Sequence, residues 1–149
     1  MLETFQPLID AAKGIDLNDP VAAREELVRR LDPDSDEGRE LSAALVRLLE
    51  EGSVADRGEP PVKYSRAAKA SDETAGFSID VVDMSGPGPR HRHPNGEMNW
   101  CIALDGEPRF GGKAPGWVVE VPGSEHVPTV SGGRMLIVYL LPDGAIEFV

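Results

Sequence analysis

His91-Arg92-His93-Pro94-Asn95-Gly96-Glu97 is the stretch on which the reading of this chain turns. Side chains two apart on a β-strand project from the same face, so His91 and His93 can aim both imidazoles at one point. Pro94-Asn95-Gly96 has the composition of a tight turn. Glu97 opens the next strand, placed to return its carboxylate to that point. The chain holds three histidines, and the third, His126, follows a separate turn at Pro122-Gly123. Three imidazoles and one carboxylate form a ligand set for a borderline first-row metal, with positions left for water or substrate. One divalent ion held by His91, His93, Glu97 and His126 is therefore expected. That donor set serves Fe, Mn, Ni, Zn or Co.

Outward from this stretch the texture is that of short strands. Phe77 to Met84, Met98 to Leu104, Trp117 to Val121, Arg134 to Leu141 and Ala145 to Val149 are apolar, β-branched or aromatic runs. Gly- and Pro-rich turns separate them, which predicts an antiparallel sandwich or small barrel over residues 75–149. Residues 1–52 read as helical. Asp19-Pro20 is a start signal, Ser35 a second cap, and Gly52 a stop. Leu2, Phe5, Leu8 and Ile9 suggest an earlier helix, with Pro7 limiting where it begins. Residues 53–74 are polar and turn-rich, and are read as a connection with one short strand near Val62 to Arg66. The apolar helical stripes are packing faces, onto the second half or onto a sister subunit. A homodimer is the expected assembly.

Charge narrows the partners. Of 149 residues, 26 are acidic and 15 basic, a formal net charge of -11. That field repels nucleic acid and anionic membrane, so neither is an expected partner. No apolar run has the ~20 residues of a membrane span. No secretory signal is visible in Met1-Leu-Glu-Thr-Phe, and the lone Cys101 excludes an internal disulfide. The expected setting is cytoplasmic.

Two motifs carry a resemblance. Gly86…His91-x-His93-x3-Glu97…Gly106 resembles the first cupin motif, and Gly116-x5-Pro122-Gly123-x2-His126 the second. The segments Gly76 to Val82, His93 to Glu97, Arg109-Phe110, Ala114 to Trp117, Pro128 to Arg134 and Leu141 to Phe148 resemble the 4-hydroxylaminobenzoate lyase family. The resemblance implies a mainly β fold: a cupin-type antiparallel β-barrel (double-stranded β-helix) with an N-terminal helical segment. It also implies a metal-dependent lyase that turns an aryl hydroxylamine into a catechol with release of ammonia. The family's named activity converts 4-hydroxylaminobenzoate and water to 3,4-dihydroxybenzoate and ammonia. Two other functions use the same ligands: an Fe(II)-dependent dioxygenase or isomerase of small aromatic or acidic metabolites, and a non-catalytic small-molecule-binding cupin.

Such chemistry needs proton transfer and a cation for the substrate carboxylate. Glu125, beside His126, is the candidate acid/base. Alternation from Glu97 puts Asn99 and Cys101 on the interior face, where Asn99 can orient water or substrate and Cys101 is expected as a small buried residue. Tyr139 is a candidate proton donor. Guanidinium forks suit a carboxylate, and Arg109 and Arg134 are the candidate ligands because they lie in segments that carry the family resemblance. Trp117 is placed against the aromatic ring. Trp100, out of phase with Glu97, is expected between strands and helices. Arg90 and Arg92 are expected to face away from the metal.

Overall fold

The computed structural model describes residues 1–149. Three helices precede nine strands: α1 (Leu2–Ala12), α2 (Pro20–Arg30), α3 (Asp36–Glu50), β1 (Arg57–Glu59), β2 (Val62–Ala68), β3 (Phe77–Met84), β4 (His91–His93), β5 (Glu97–Phe110), β6 (Gly116–Glu120), β7 (Ser124–His126), β8 (Val130–Pro142) and β9 (Glu147–Phe148). The cap signals act as read. The Asp19 side chain accepts from the Ala22 N–H with Pro20 at the start of α2, and Ser35 accepts from Gly38 N–H. Gly52 follows α3 in the left-handed region at φ 76°. Pro7, however, sits inside α1 rather than before it. It removes one backbone donor near the helix start, a loss offset by burying Phe5, Leu8, Ile9 and Ala12 on one face.

The strands form two sheets. The larger has the order β1-β2-β3-β8-β5-β6 and the smaller the order β7-β4-β9. Every pairing is antiparallel. The ladders do not run around into a closed barrel, so the architecture is a jelly-roll sandwich of two unequal sheets. Residues 53–74 supply two of its strands, β1 and β2, and so extend the sheet.

Alternation along β8 explains why it reads as an unbroken apolar run. Leu136, Val138 and Leu140 join the cluster shared with the helices, while Met135, Ile137, Tyr139 and Leu141 join the cluster on the other face. A strand covered on both sides has no polar register to show. Trp100 and Trp117 lie on the helix side, edge to face with centroids 5.1 Å apart. Their indole N–H groups donate to Ser42 Oγ at 3.0 Å and Leu31 O at 2.9 Å. These bonds satisfy the polar ends of two fully buried rings and tie helices to sheet.

Candidate metal centre

The turn that decides the fold also crosses between the sheets, because β4 belongs to the smaller and β5 to the larger. Gly96 donates to His93 O at 3.1 Å and holds φ 81°. A Cβ there would lie 2.8 Å from Glu120 O, so the close approach of β6 leaves room only for glycine. Gly123 N–H also donates to His93 O, at 2.7 Å, which fixes the second turn against the first. The register of β4 with β7 sets His91 opposite His126 and His93 opposite Ser124.

The three imidazoles meet as predicted. His91 Nε2 and His126 Nε2 are 3.0 Å apart, and one ligand nitrogen from each of His91, His93 and His126 falls within 4.8 Å of the others. Glu97 reaches the same place from the larger sheet, with Oε2 2.9 Å from His93 Nε2 and Oε1 3.8 Å from His126 Nε2. His91, His93 and Glu97 are buried, and His126 is partly open to solvent. Both ring nitrogens of His93 and both carboxylate oxygens of Glu97 are buried with no hydrogen-bond partner. The 2.9 Å approach therefore lacks hydrogen-bond angles, and the ring edge and the carboxylate are turned toward one point. Orphaned buried groups of this kind are costly, and convergent lone pairs of N and O type are what a divalent ion takes up. The donor set fits one ion. Burial, with the neighbouring His93 next in effect, pushes the His91 imidazole from 6.5 down to about 4, so it remains a neutral nitrogen donor at neutral pH.

Around this cluster the other predicted residues divide. Asn99 and Tyr139 are cross-strand partners on the inner face. Asn99 is wholly buried with both amide ends unpartnered. Burial, then the nearby Glu97 charge, raises the Tyr139 hydroxyl well above 10, so it stays protonated. The same two causes push the Cys101 thiol up, and it is not a thiolate ligand.

Glu125 turns away. His126 faces inward, so its neighbour on a strand faces outward, and Arg90 takes the Glu125 carboxylate at 3.1 Å. Arg92 pairs on the same outer face with Glu147. Arg134 lies across the larger sheet from Tyr139 and is held bidentately by Asp83, with both bonds at 2.8 Å. Arg109 is exposed and donates to Gly112 O at 3.3 Å. Trp117 faces the helices, not the cluster. The reason is phase: nothing in the sequence tied β6 or β8 to the metal ligands.

One carboxylate escaped the sequence reading. Glu120 pairs with Glu97 across β5 and β6 and has an oxygen within 4.8 Å of the ligand atoms of Glu97 and His126. It is the one charge in the run Trp117 to Val121, a signal visible in the sequence but unusable without the register.

A jelly-roll sandwich with three imidazoles and a carboxylate converging at one end is a cupin. The family described as "PnbB: 4-hydroxylaminobenzoate lyase" matches residues 5–148, and the chain belongs to that family. A 4-hydroxylaminobenzoate lyase of Pseudomonas putida is 31% identical over 134 residues, 78% of this chain and 76% of that one. One of Nocardioides sp. (strain LMS-CY) is 29% identical over 163 residues, 99% and 96% of the two chains. Among solved structures, an RmlC-like cupin protein from Ralstonia eutropha JMP134 is similar at 18% identity and a TM-score of 0.46, over 61% of each chain. Oxalate oxidase in complex with the substrate analogue glycolate is similar at 19% identity and a TM-score of 0.43, over 62% of this chain and 57% of that one.

Proposed function

We propose that this protein is a metal-dependent 4-hydroxylaminobenzoate lyase, which converts its substrate and water to 3,4-dihydroxybenzoate and ammonia. The observation that carries the reading is the set of buried, unpartnered lone pairs on His93 and Glu97, facing His91 and His126, in a chain of this family. A divalent ion held by these four residues would supply Lewis acidity toward the departing hydroxylamine oxygen and lower the pKa of bound water.

The balance of the reaction sets what the protein must do. The N–O bond breaks with its electron pair leaving on oxygen. Water adds at the neighbouring ring carbon and loses a proton. A second water displaces the nitrogen from its carbon as ammonia, and the ring regains aromaticity as a catechol. One of the two waters is returned when the departing oxygen is protonated, so one is consumed overall. Tyr139, protonated and on the inner face, donates to the departing oxygen in this reading. Asn99 offers its unused amide to hold substrate or water. Glu120, in place of Glu125, stands beside Glu97 and His126 to hold the adding water and accept its proton. The apolar inner face, with Val118, Ile137 and Phe110, keeps bulk water from the reacting ring.

The test is anaerobic incubation of protein loaded with each candidate ion. Ammonia and 3,4-dihydroxybenzoate should appear in equal amounts without oxygen. No product without oxygen, and turnover that consumes oxygen with iron alone once air is admitted, would put the dioxygenase reading in its place. The cytoplasmic setting and the homodimer belong to the same proposal. The supports are the single buried free Cys101 for the first and the partly buried Val28, Val46, Leu48 and Leu49 for the second. Light scattering should read twice the 16.0 kDa chain mass. No helix is long and apolar enough to cross a membrane.

A further inference from the structure

We infer that Lys113 is the residue that selects a carboxylated substrate. The inference rests on the proposed reading of the metal centre. An aromatic carboxylate bound with its nitrogen at the cluster needs a cation one ring-length away. The two guanidinium groups favoured by sequence are unsuited: Asp83 holds Arg134 on the far side of the sheet, and Arg109 points to solvent. Arg90 and Arg92 are taken by Glu125 and Glu147 on the outer face of the smaller sheet.

Lys113 lies on the cluster's own side. Its Nζ is 3.5 Å from Glu120 Oε1, and that same carboxylate has an oxygen within 4.8 Å of the Glu97 and His126 ligand atoms. Two short steps thus join the ammonium to the cluster. Its charge also bears on the buried Cys101, on the inner face of β5. The backbone of Lys113 is pinned, because Phe110 and Lys113 exchange both backbone hydrogen bonds at 2.8 and 2.9 Å across Gly111-Gly112. The side chain remains half exposed, and its contact with Glu120 is a long surface pair of the weakly held kind. An arriving carboxylate can therefore share or replace that partner. Lys113 and Glu120 also line a groove of about 440 Å³ between α2 and β6. On its opposite wall Arg24 is held by Trp117 O at 3.0 Å and stands beside Glu25, so Lys113 is the cation there with a side chain free to turn to an arriving acid. The strongly negative chain makes such a local cation necessary, since the overall field opposes an anionic substrate.

The experiment compares wild type, Lys113→Gln and Lys113→Arg in metal-loaded protein. Kinetics are measured with 4-hydroxylaminobenzoate and with phenylhydroxylamine, which lacks the carboxylate. Binding is measured by calorimetry with 4-aminobenzoate and its neutral isostere 4-aminobenzamide. Lys113→Gln should lose about 10- to 100-fold in kcat/KM for the carboxylated substrate, mostly through KM, the range of one charge-assisted hydrogen bond. Phenylhydroxylamine and 4-aminobenzamide should change less than twofold, and Lys113→Arg should restore most of the loss. Equal binding of 4-aminobenzoate to wild type and Lys113→Gln would overturn the assignment. If wild type binds 4-aminobenzoate through Lys113 but turns nothing over, the lyase reading fails and the carboxylate assignment stands.

Discussion

Glu97→Gln should act with opposite sign on the metal-free and metal-loaded protein. The substitution keeps the shape of a wholly buried side chain and removes its charge. No protein group gives either carboxylate oxygen a hydrogen bond. An unsatisfied buried group costs about 1–3 kcal/mol, and more when charged. A Gln amide can donate to the His93 nitrogen that lies 2.9 Å from Oε2. Relief of about 2 kcal/mol follows, which for a chain of this size raises Tm by about 4–8 °C. With metal at 100 times its Kd, wild type should gain about 2.7 kcal/mol of further stability. The variant has lost a ligand, which weakens affinity by more than the roughly 10- to 100-fold that a supporting residue costs. At the same metal concentration its gain falls below about 0.5 kcal/mol, a shift of 1–2 °C at most. Differential scanning calorimetry of both proteins, with chelator and with metal, reads all four numbers. A variant that melts below wild type in chelator, or that keeps the full metal-dependent rise, would refute the convergence of these lone pairs on an ion.

Glu120→Gln should lower kcat by about 10²-fold or more while metal content, read by elemental analysis, is unchanged; Glu125→Gln should leave kcat within twofold. In metal-free protein, stability should fall as pH drops from about 6.5 to about 4. Over that window the unfolded chain binds a proton at His91 that the folded chain refuses, so the slope of stability against pH is positive. The full loss from this group is about 3 kcal/mol by urea unfolding, and His91→Gln should flatten that part of the curve. Trp117→Phe should cost about 1–3 kcal/mol by removing the bond to Leu31 O, with KM unchanged; an altered KM would return Trp117 to the substrate site.

What the sequence made legible was local. His91 and His93 share a face because a strand repeats every two residues, and Glu97 follows across a turn whose glycine is sterically required. Both facts lie within seven consecutive residues. Asn99 and Cys101 could be placed by counting from Glu97. Trp117 and Arg134 could not, because the phase of β6 and β8 depends on pairings set by distant turns. Glu120 was hidden for the same reason: it matters only because it is the cross-strand partner of Glu97. Glu125 was within reach, since counting one residue back from an inward His126 already turns it outward. The helices were legible from their caps. That Pro7 is tolerated inside α1 was not, since tertiary burial of that face decides it.

Three of the four proposed metal donors hang from a sheet whose strands have three, three and two residues, and the fourth comes from the long β5 of the other sheet. So small a sheet has few ladder bonds with which to hold itself against its neighbour. An ion gripped by both would act as a rivet, clamping the two leaves of the sandwich at one end. Stripping it should loosen that leaf first, with faster amide exchange in residues 91–93 and 124–126 while β3, β5 and β8 stay protected. The catalytic ion would then also be the fastener that keeps its own ligands in register.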